Sequence, residues 1–254
     1  MAGRPFRREI AEDRVGSSPG QERAAAAGAM GEHYEVRQAT IDDVDIVLDL
    51  IAEAADWLRN EKTTTQWNRP WPSPEEHVKR VTEGVADNRT WIVWDGHIAV
   101  ATVTIHRTGS PALWTPVELD TEAVYLHRLV VRRSYAGDGL GAELINWSGQ
   151  QGRQENPDAE HIRIDVWTDN YELHDYYVRQ GFGFVAVRET PDRRPSSRLF
   201  QKPLGQALST RAPRLTPRPG GDLIPEKVSS FGRILVPVLF GLMILRVAPE
   251  FMLR

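Results

Sequence analysis

Residues 123–143, AVYLHRLVVRRSYAGDGLGAE, decide how this chain is read. An apolar, β-prone run over 124–131 leads into Ala136-Gly137-Asp138-Gly139-Leu140-Gly141, and a helical pattern starts directly behind it. Three glycines on alternate positions let backbone N–H groups converge without interference from Cβ atoms. A helix starting at the same place adds unpaired N-terminal donors and the positive end of its dipole. Such a junction suits a diphosphate, so the loop points to a nucleotide-like cofactor.

Upstream of the junction, runs at 90–94 and 97–105 flank Asp95-Gly96, the signal of a hairpin between two antiparallel strands. Earlier still, a short strand is expected over 34–38. Thr40-Ile41-Asp42-Asp43 follows as a capping box before a helix with Val44, Val47, Leu48, Ile51 and Leu58 on one face. A loop rich in proline and tryptophan, 66–72, then reaches Ser73-Pro74-Glu75-Glu76, an N-cap with proline at the first helical position. Val78, Val81 and Val85 are the expected buried face of that second helix. Downstream, the pattern predicts a helix over 142–151, a strand over 162–167, a helix over 171–179, and strands over 184–187 and 199–202. No internal repeat is visible.

With 254 residues, 41% of them hydrophobic, the chain can build one sizeable core. Its 31 basic and 35 acidic residues give a net charge of −4, without the basic footprint of a nucleic-acid binder. The central part is more acidic: residues 33–204 carry 19 basic against 27 acidic groups, a balance of −8. That balance favours cationic substrates such as amines, although solubility alone also accounts for it. There are no cysteines, which removes disulfides, thiolate metal sites and a cysteine nucleophile, and fits a cytoplasmic location. His33, His77, His97, His106, His161 and His174 show no metal-ligand spacing, so no metal is expected.

Residues 1–32 lack sustained periodicity and the apolar segment of a signal peptide; they read as a disordered tail, with Met30 as an alternative start. A single domain is expected over 33–204. Residues 205–254 begin as a linker containing Pro213, Pro217, Pro219 and Gly220-Gly221. They end in an apolar stretch, 234–245, shorter than the roughly 20 residues of a membrane span but able to touch a membrane peripherally.

Gly137-x-Gly139-x-x-Ala142 matches a dinucleotide-binding fingerprint. The element order argues against it, because a hairpin and two helices come first and about 60 residues of domain follow, too few for a doubly wound sheet. The order strand, two helices, antiparallel strands, glycine turn with helix, strand, helix, strand resembles instead the GNAT superfamily of acyl-CoA N-acyltransferases. The likeness covers about 34–204. That family's signature, arginine or glutamine followed by x-x-Gly-x-Gly or Ala, is met by residues 136–141 except for Ala136 in the leading place. A second block, Asn170 to Phe182 (NYELHDYYVRQGF), is similar to the family's later motif of asparagine, an aromatic pair and Gly-Phe.

The resemblance implies an α/β (α+β) fold: a mixed, mostly antiparallel twisted sheet flanked by helices, one domain with two flexible tails. It implies an N-acetyltransferase with acetyl-CoA as co-substrate and no metal, in which an amine attacks directly and a tetrahedral intermediate forms. By the same likeness, the backbone of Leu129, Val130 and Val131 provides the oxyanion donor and holds the pantetheine arm. Ala136, Gly137, Asp138, Gly139, Leu140, Gly141 and Ala142 hold the pyrophosphate, with Arg132 and Arg133 as compensating cations. Asn170 matches a cofactor-contacting position, with helix capping as its other reading. Tyr177 matches the general acid, ahead of its neighbour Tyr176. The base is open among Glu122, His127, Asp165 and a water relay, with Tyr125, His127 and Leu129 expected on one face of their strand. Trp67 and Trp71 fall where such proteins carry a variable substrate-covering segment, and serve either as an aromatic wall or as a hydrophobic anchor. The acceptor is a small-molecule or peptide amine, and a homodimer is compatible with the family. Two other classes also fit: a non-catalytic acyl-CoA-binding module, and a membrane-peripheral adaptor using 234–245.

Overall fold

The computed structural model describes residues 33–205 and 214–217. The expected tail at 1–32, Met30 and the apolar stretch 234–245 lie outside them. Among the described residues no helix is long and apolar enough to cross a membrane.

The elements are β1 Tyr34–Gln38, α1 Val44–Glu61, α2 Pro74–Ala86, β2 Thr90–Asp95, β3 Ile98–His106, α3 Pro116–Leu119, β4 Ala123–Val131, α4 Leu140–Glu155, β5 His161–Trp167, α5 Tyr171–Arg179, β6 Gly183–Val187, β7 Ser196–Pro203 and β8 Leu215–Pro217. All strands join one sheet in the order β6-β7-β5-β4-β3-β2-β1-β8. Pairing is antiparallel except between β4 and β5 and between β1 and β8, so the sheet is the mixed, mostly antiparallel one expected.

Local chemistry explains the starts of the first two helices. Ahead of α1, the Asp43 carboxylate accepts the Thr40 N–H at 2.7 Å and both arms of the Arg37 guanidinium at 2.7 and 2.8 Å. Burial alone would raise the pKa of Asp43, but these hydrogen bonds outweigh it and hold the group below its ordinary value. At α2, Ser73 Oγ accepts the Glu76 N–H at 3.2 Å behind Pro74, an N-cap with proline at the first position.

Each sheet face then acquires a core. On one face α1 and α2 bring Val47, Leu50, Ile51, Val81 and Val85 onto Ile92, Trp94 and Val130. On the other, Leu140, Leu144 and Ile145 of α4 meet Val103, Val124, Leu126 and Ile162. Each such aliphatic side chain contributes about 1.5–3 kcal/mol when fully buried. Val78 departs from the expected buried face of α2: it is 44% exposed. Amphipathic spacing marks the stripe, but Val78 at its N-terminal end borders the cleft instead.

Two elements depart from the linker and loop readings. Pro116–Leu119 makes a short helix inside the polar loop before β4. Leu215–Pro217, expected as linker, pairs in parallel with β1, and Arg214 before it accepts the Tyr34 N–H on its carbonyl at 2.8 Å. Three residues with a proline give no periodicity, so only the tertiary contacts define this edge strand.

Candidate active site

The site starts with a fork in the sheet. β4 and β5 are registered only at Ala123↔His161, Val124↔Ile162 and Tyr125↔Arg163. Beyond those rungs β4 stays with β3 and β5 stays with β7, so the two parallel strands part. One cause is visible in β4. Thr104 pairs with His127 but Thr102 pairs with Val130, so β4 has one extra residue there, and Arg128 adopts φ 49°. This is a β-bulge, which bends its strand and leaves a residue outside the ladder. It also reverses the alternation: Leu129 and Val131 pack on the α4 face together with Leu126. The expectation that Tyr125, His127 and Leu129 share a face is therefore corrected by the bulge.

The fork opens into a cleft of roughly 1210 Å³ bounded by residues 126–131 of β4, residues 164–167 of β5, and parts of α1, α2 and α5. At the last paired rung Arg163 is buried, 2% exposed, and Nη1 donates to Tyr125 Oη at 2.9 Å and to the carbonyl oxygens of Glu118 and Thr121 at 2.6 and 3.2 Å.

At one end of the cleft sits the glycine turn. Gly137 and Gly139 have φ of 98° and 83°, values that side-chain-bearing residues rarely adopt, and Gly139 is the residue at which α4 begins. Gly141 is needed for a different reason, since a Cβ there would fall 2.7 Å from Tyr176 Oη. Ala136, Gly137, Gly139, Gly141 and Ala142 line the cleft, as do Leu129, Val130 and Val131. Leu140 faces the core, 1% exposed. The Asp138 carboxylate turns to Arg214, whose guanidinium also bonds Glu143 Oε1 at 2.9 Å. Only main-chain groups of Leu140 and Asp138 remain for a ligand.

The expected compensating cations are otherwise engaged. Arg132 donates to the Ala99 carbonyl at 3.0 Å and pairs with Glu53 at 3.2 Å. Arg133 lines the cleft but stacks over Trp57, its Cζ 3.8 Å from the ring centroid.

The middle of the cleft holds the titratable groups. Tyr177 on α5 is 8% exposed, with Tyr176 and Phe182 edge-on at 5.4 and 5.3 Å. Its hydroxyl makes no hydrogen bond among the described residues. Burial, then the neighbouring Tyr176 and Asp165, raises its pKa well above the ordinary tyrosine value, while burial pushes Tyr176 up to about 12. Both phenols therefore keep their protons at neutral pH. Across the fork, His127 Nδ1 lies 3.5 Å from Asp165 Oδ1, and its ring meets that of His106 edge-on at 4.8 Å. Burial lowers the His127 pKa; Asp165 opposes this, while Arg128, Arg194 and Arg89 add to it. The imidazole is thus neutral at pH 7, with a lone pair to offer.

Glu122 does not reach the cleft. It sits ahead of β4 at the paired end of the fork, where its carboxylate accepts Asn156 Nδ2 at 2.8 Å. Neighbourhood in sequence to the strand could not reveal which end opens. Asn170 caps α5: Oδ1 accepts the Leu173 N–H at 3.0 Å and Nδ2 donates to Gln66 Oε1 at 2.6 Å. It lines the cleft with its polar groups already in use.

A latch that sequence reasoning missed closes the roof. Asp169 accepts from Thr64 Oγ1 at 2.7 Å and from the N–H and hydroxyl of Thr65 at 2.9 and 2.6 Å. With Gln66 on Asn170, these bonds fasten the segment between α1 and α2 to the turn between β5 and α5. Trp67 and Trp71 are thereby held along the cleft. An aspartate in an ordinary helix-start position carries no signal of such a distant partner.

The pattern of the "Acetyltransferase (GNAT) family" matches residues 51–182. A protein described as "Uncharacterized N-acetyltransferase YesJ" from Bacillus subtilis (strain 168) is 27% identical over 153 residues, 59% of this chain and 81% of that one. Among solved structures, a GNAT-family acetyltransferase from Listeria monocytogenes 4b F2365 aligns at TM-score 0.52 and 25% identity, covering 67% of this chain and 95% of its own. The PaiA N-acetyltransferase from Thermoplasma acidophilum, solved in complex with coenzyme A, shares the fold at TM-score 0.50 and 13% identity, with 68% and 99% covered. This chain belongs to the GNAT acetyltransferase family.

Proposed function

We propose that the protein transfers an acetyl group from acetyl-CoA to an amine by direct attack, with Tyr177 as general acid and His127 as general base. One observation carries this reading: the sheet forks at two parallel strands, and the glycine turn opening α4 lines the same cleft as Tyr177 and His127. The residues fit an acyl-CoA. The first N–H groups of α4 have no intrahelical acceptor and suit a pyrophosphate, and the bulged rim of β4 presents peptide groups to an extended arm.

Acetyl-CoA supplies the acyl group as an activated thioester. The chain contributes everything else. A main-chain N–H in the Leu129 to Val131 rim would stabilise negative charge on the acyl oxygen, a contribution of order 10²–10³ in rate. Neutral His127 takes the proton of the amine, and Asp165 beside it favours the imidazolium that results. Tyr177, kept protonated by burial, donates to the departing sulfur.

Calorimetric titration of the full chain with acetyl-CoA tests the reading. The parent should bind. Gly139→Glu, which forces a side chain into positive φ and adds an anion at a helix N-terminus, should weaken binding on the order of a hundredfold. Tyr177→Phe should bind like the parent yet transfer acetyl to an accepted amine about a hundredfold more slowly. No binding by the folded parent would sink the proposal, whereas binding without turnover of any amine would point to the non-catalytic module.

A further inference from the structure

The part of the cleft bordered by α2 and the start of β7 carries arginines for which acyl transfer has no task. Arg80, Arg89, Arg128 and Arg194 all line it, the last three beside His127 and Arg80 beside Arg128. Arg80 and Arg194 both lie against Trp71, their Cζ atoms 5.0 and 5.6 Å from its ring centroid. Three of the four have an acid of their own: Arg80 pairs with Glu76 at 3.2 Å, Arg194 with Asp192 at 3.5 Å, and Arg89 with Asp87. Arg128 makes no hydrogen bond or ion pair among the described residues.

We propose that this end of the cleft binds the anionic group of a small acceptor, a carboxylate or phosphate carried on the same molecule as the attacking amine, with Arg128 as its principal ligand. The proposal rests on the acyl-transfer reading and names the class of acceptor.

The backbone supports the assignment. Arg128 is the bulged residue of β4, and its φ of 49° costs a side-chain-bearing residue about 1–2 kcal/mol. The bulge aims the guanidinium away from the ladder, one residue from the base. Its surroundings are positive. Burial, then Arg80, lowers the pKa of Arg128 against a single opposing acid, Asp165. Burial lowers the pKa of His77 on α2 as well, with Arg128 and then Arg80 adding to it. Two guanidiniums that repel each other beside a half-buried histidine gain from an anion between them, and a guanidinium's fork suits carboxylate or phosphate bidentately. Nε of Arg89 and Nε of Arg194 are also shut from solvent without an acceptor. The acidic balance of the whole chain would have suggested a purely cationic substrate, but the local charge here is of the opposite sign.

The test uses the full chain and acceptors in matched pairs: amino acids against their carboxamides, and amino-sugar phosphates against the unphosphorylated sugars. The anionic member should be preferred at least about tenfold in kcat/KM, the worth of one charge-assisted hydrogen bond. The two pairs tell carboxylate from phosphate. Arg128→Asn keeps a residue that tolerates positive φ and should erase the preference by raising KM for the anionic member alone. Arg80→Gln, on the surface of α2, should reduce it in part. Equal use of both members, or a preference that survives Arg128→Asn, overturns the proposal. If no amine is turned over, N-acetylglycine and N-acetylglycinamide are titrated calorimetrically instead; the carboxylate should bind more tightly to the parent and no more tightly to Arg128→Asn, and any other result again overturns it. Failure of acetyl-CoA to bind would count against the acyl-transfer reading alone, because the second comparison needs no acetyl-CoA.

Discussion

The two ends of the cleft are built from different materials. At the glycine turn, the groups available to a ligand are main-chain N–H donors, set by positive φ at Gly137 and Gly139 and by the start of α4. From the middle to the opposite end they are side chains, Arg80, Arg128, Arg194, His127 and Trp71, gathered from four separate parts of the chain. A main-chain site tolerates substitution of its neighbours so long as the backbone path survives, so Ala136, where the family carries arginine or glutamine, leaves the proposed site its main-chain donors. A side-chain site has no such reserve. Change in one end should therefore act through geometry, and in the other through charge and proton affinity.

The largest expected effect on this contrast comes from His127. Its pKa is lowered below the ordinary 6.5, so the neutral base is present from neutral pH upward and is lost as pH falls through the lowered value. The facing groups are Asp165, which opposes the shift, and Arg128, Arg194, Arg89 and His106. The pH profile of kcat/KM should thus be flat near pH 7 and decline only in the acid range. His127→Gln should cost about a hundredfold at pH 7 and remove the acid decline. An acid decline that persists in the variant would place the base elsewhere.

Asp169 gives a smaller, more selective effect. Asp169→Ala removes three hydrogen bonds that hold the Trp67 and Trp71 segment over the cleft. Acceptor KM should rise about tenfold while calorimetric affinity for acetyl-CoA stays near that of the parent. Equal losses at both ends would break the division drawn here. The smallest effect is a gain: Ala136→Arg restores the side chain usual in the family and should tighten acetyl-CoA about fivefold, the worth of one exposed charged contact. No change on titration would sharpen the contrast, leaving the phosphates to the main chain alone.

This division also explains what the sequence made legible. Strands, helices and the glycine turn follow from periodicity, caps and φ preferences that act within a few residues, and most elements formed within two or three residues of expectation. The order of those elements indicates the sheet only through its resemblance to the GNAT family. The bulge at Arg128 was hidden, because a strand with one extra residue keeps an ordinary apolar run and only its partner's register exposes the insertion. Glu122 was misplaced for the same reason: nothing local says at which rung β4 and β5 part. The Asp169 latch and the Asp138–Arg214–Glu143 contact join residues tens of positions apart, and an acid at a helix start looks alike whether its partner is solvent or a distant threonine.

The contact made by Arg214 bears on how the protein should be shortened. Its side chain is 5% exposed and binds both Asp138, within the glycine turn, and Glu143, in the first turn of α4. A fragment ending at residue 204, where the sequence suggests the domain stops, would strip the counterion from two carboxylates beside the turn proposed to hold a pyrophosphate. Such a fragment could fold and still bind its donor poorly, a false negative for activity. The shortest piece worth assaying extends past Pro217.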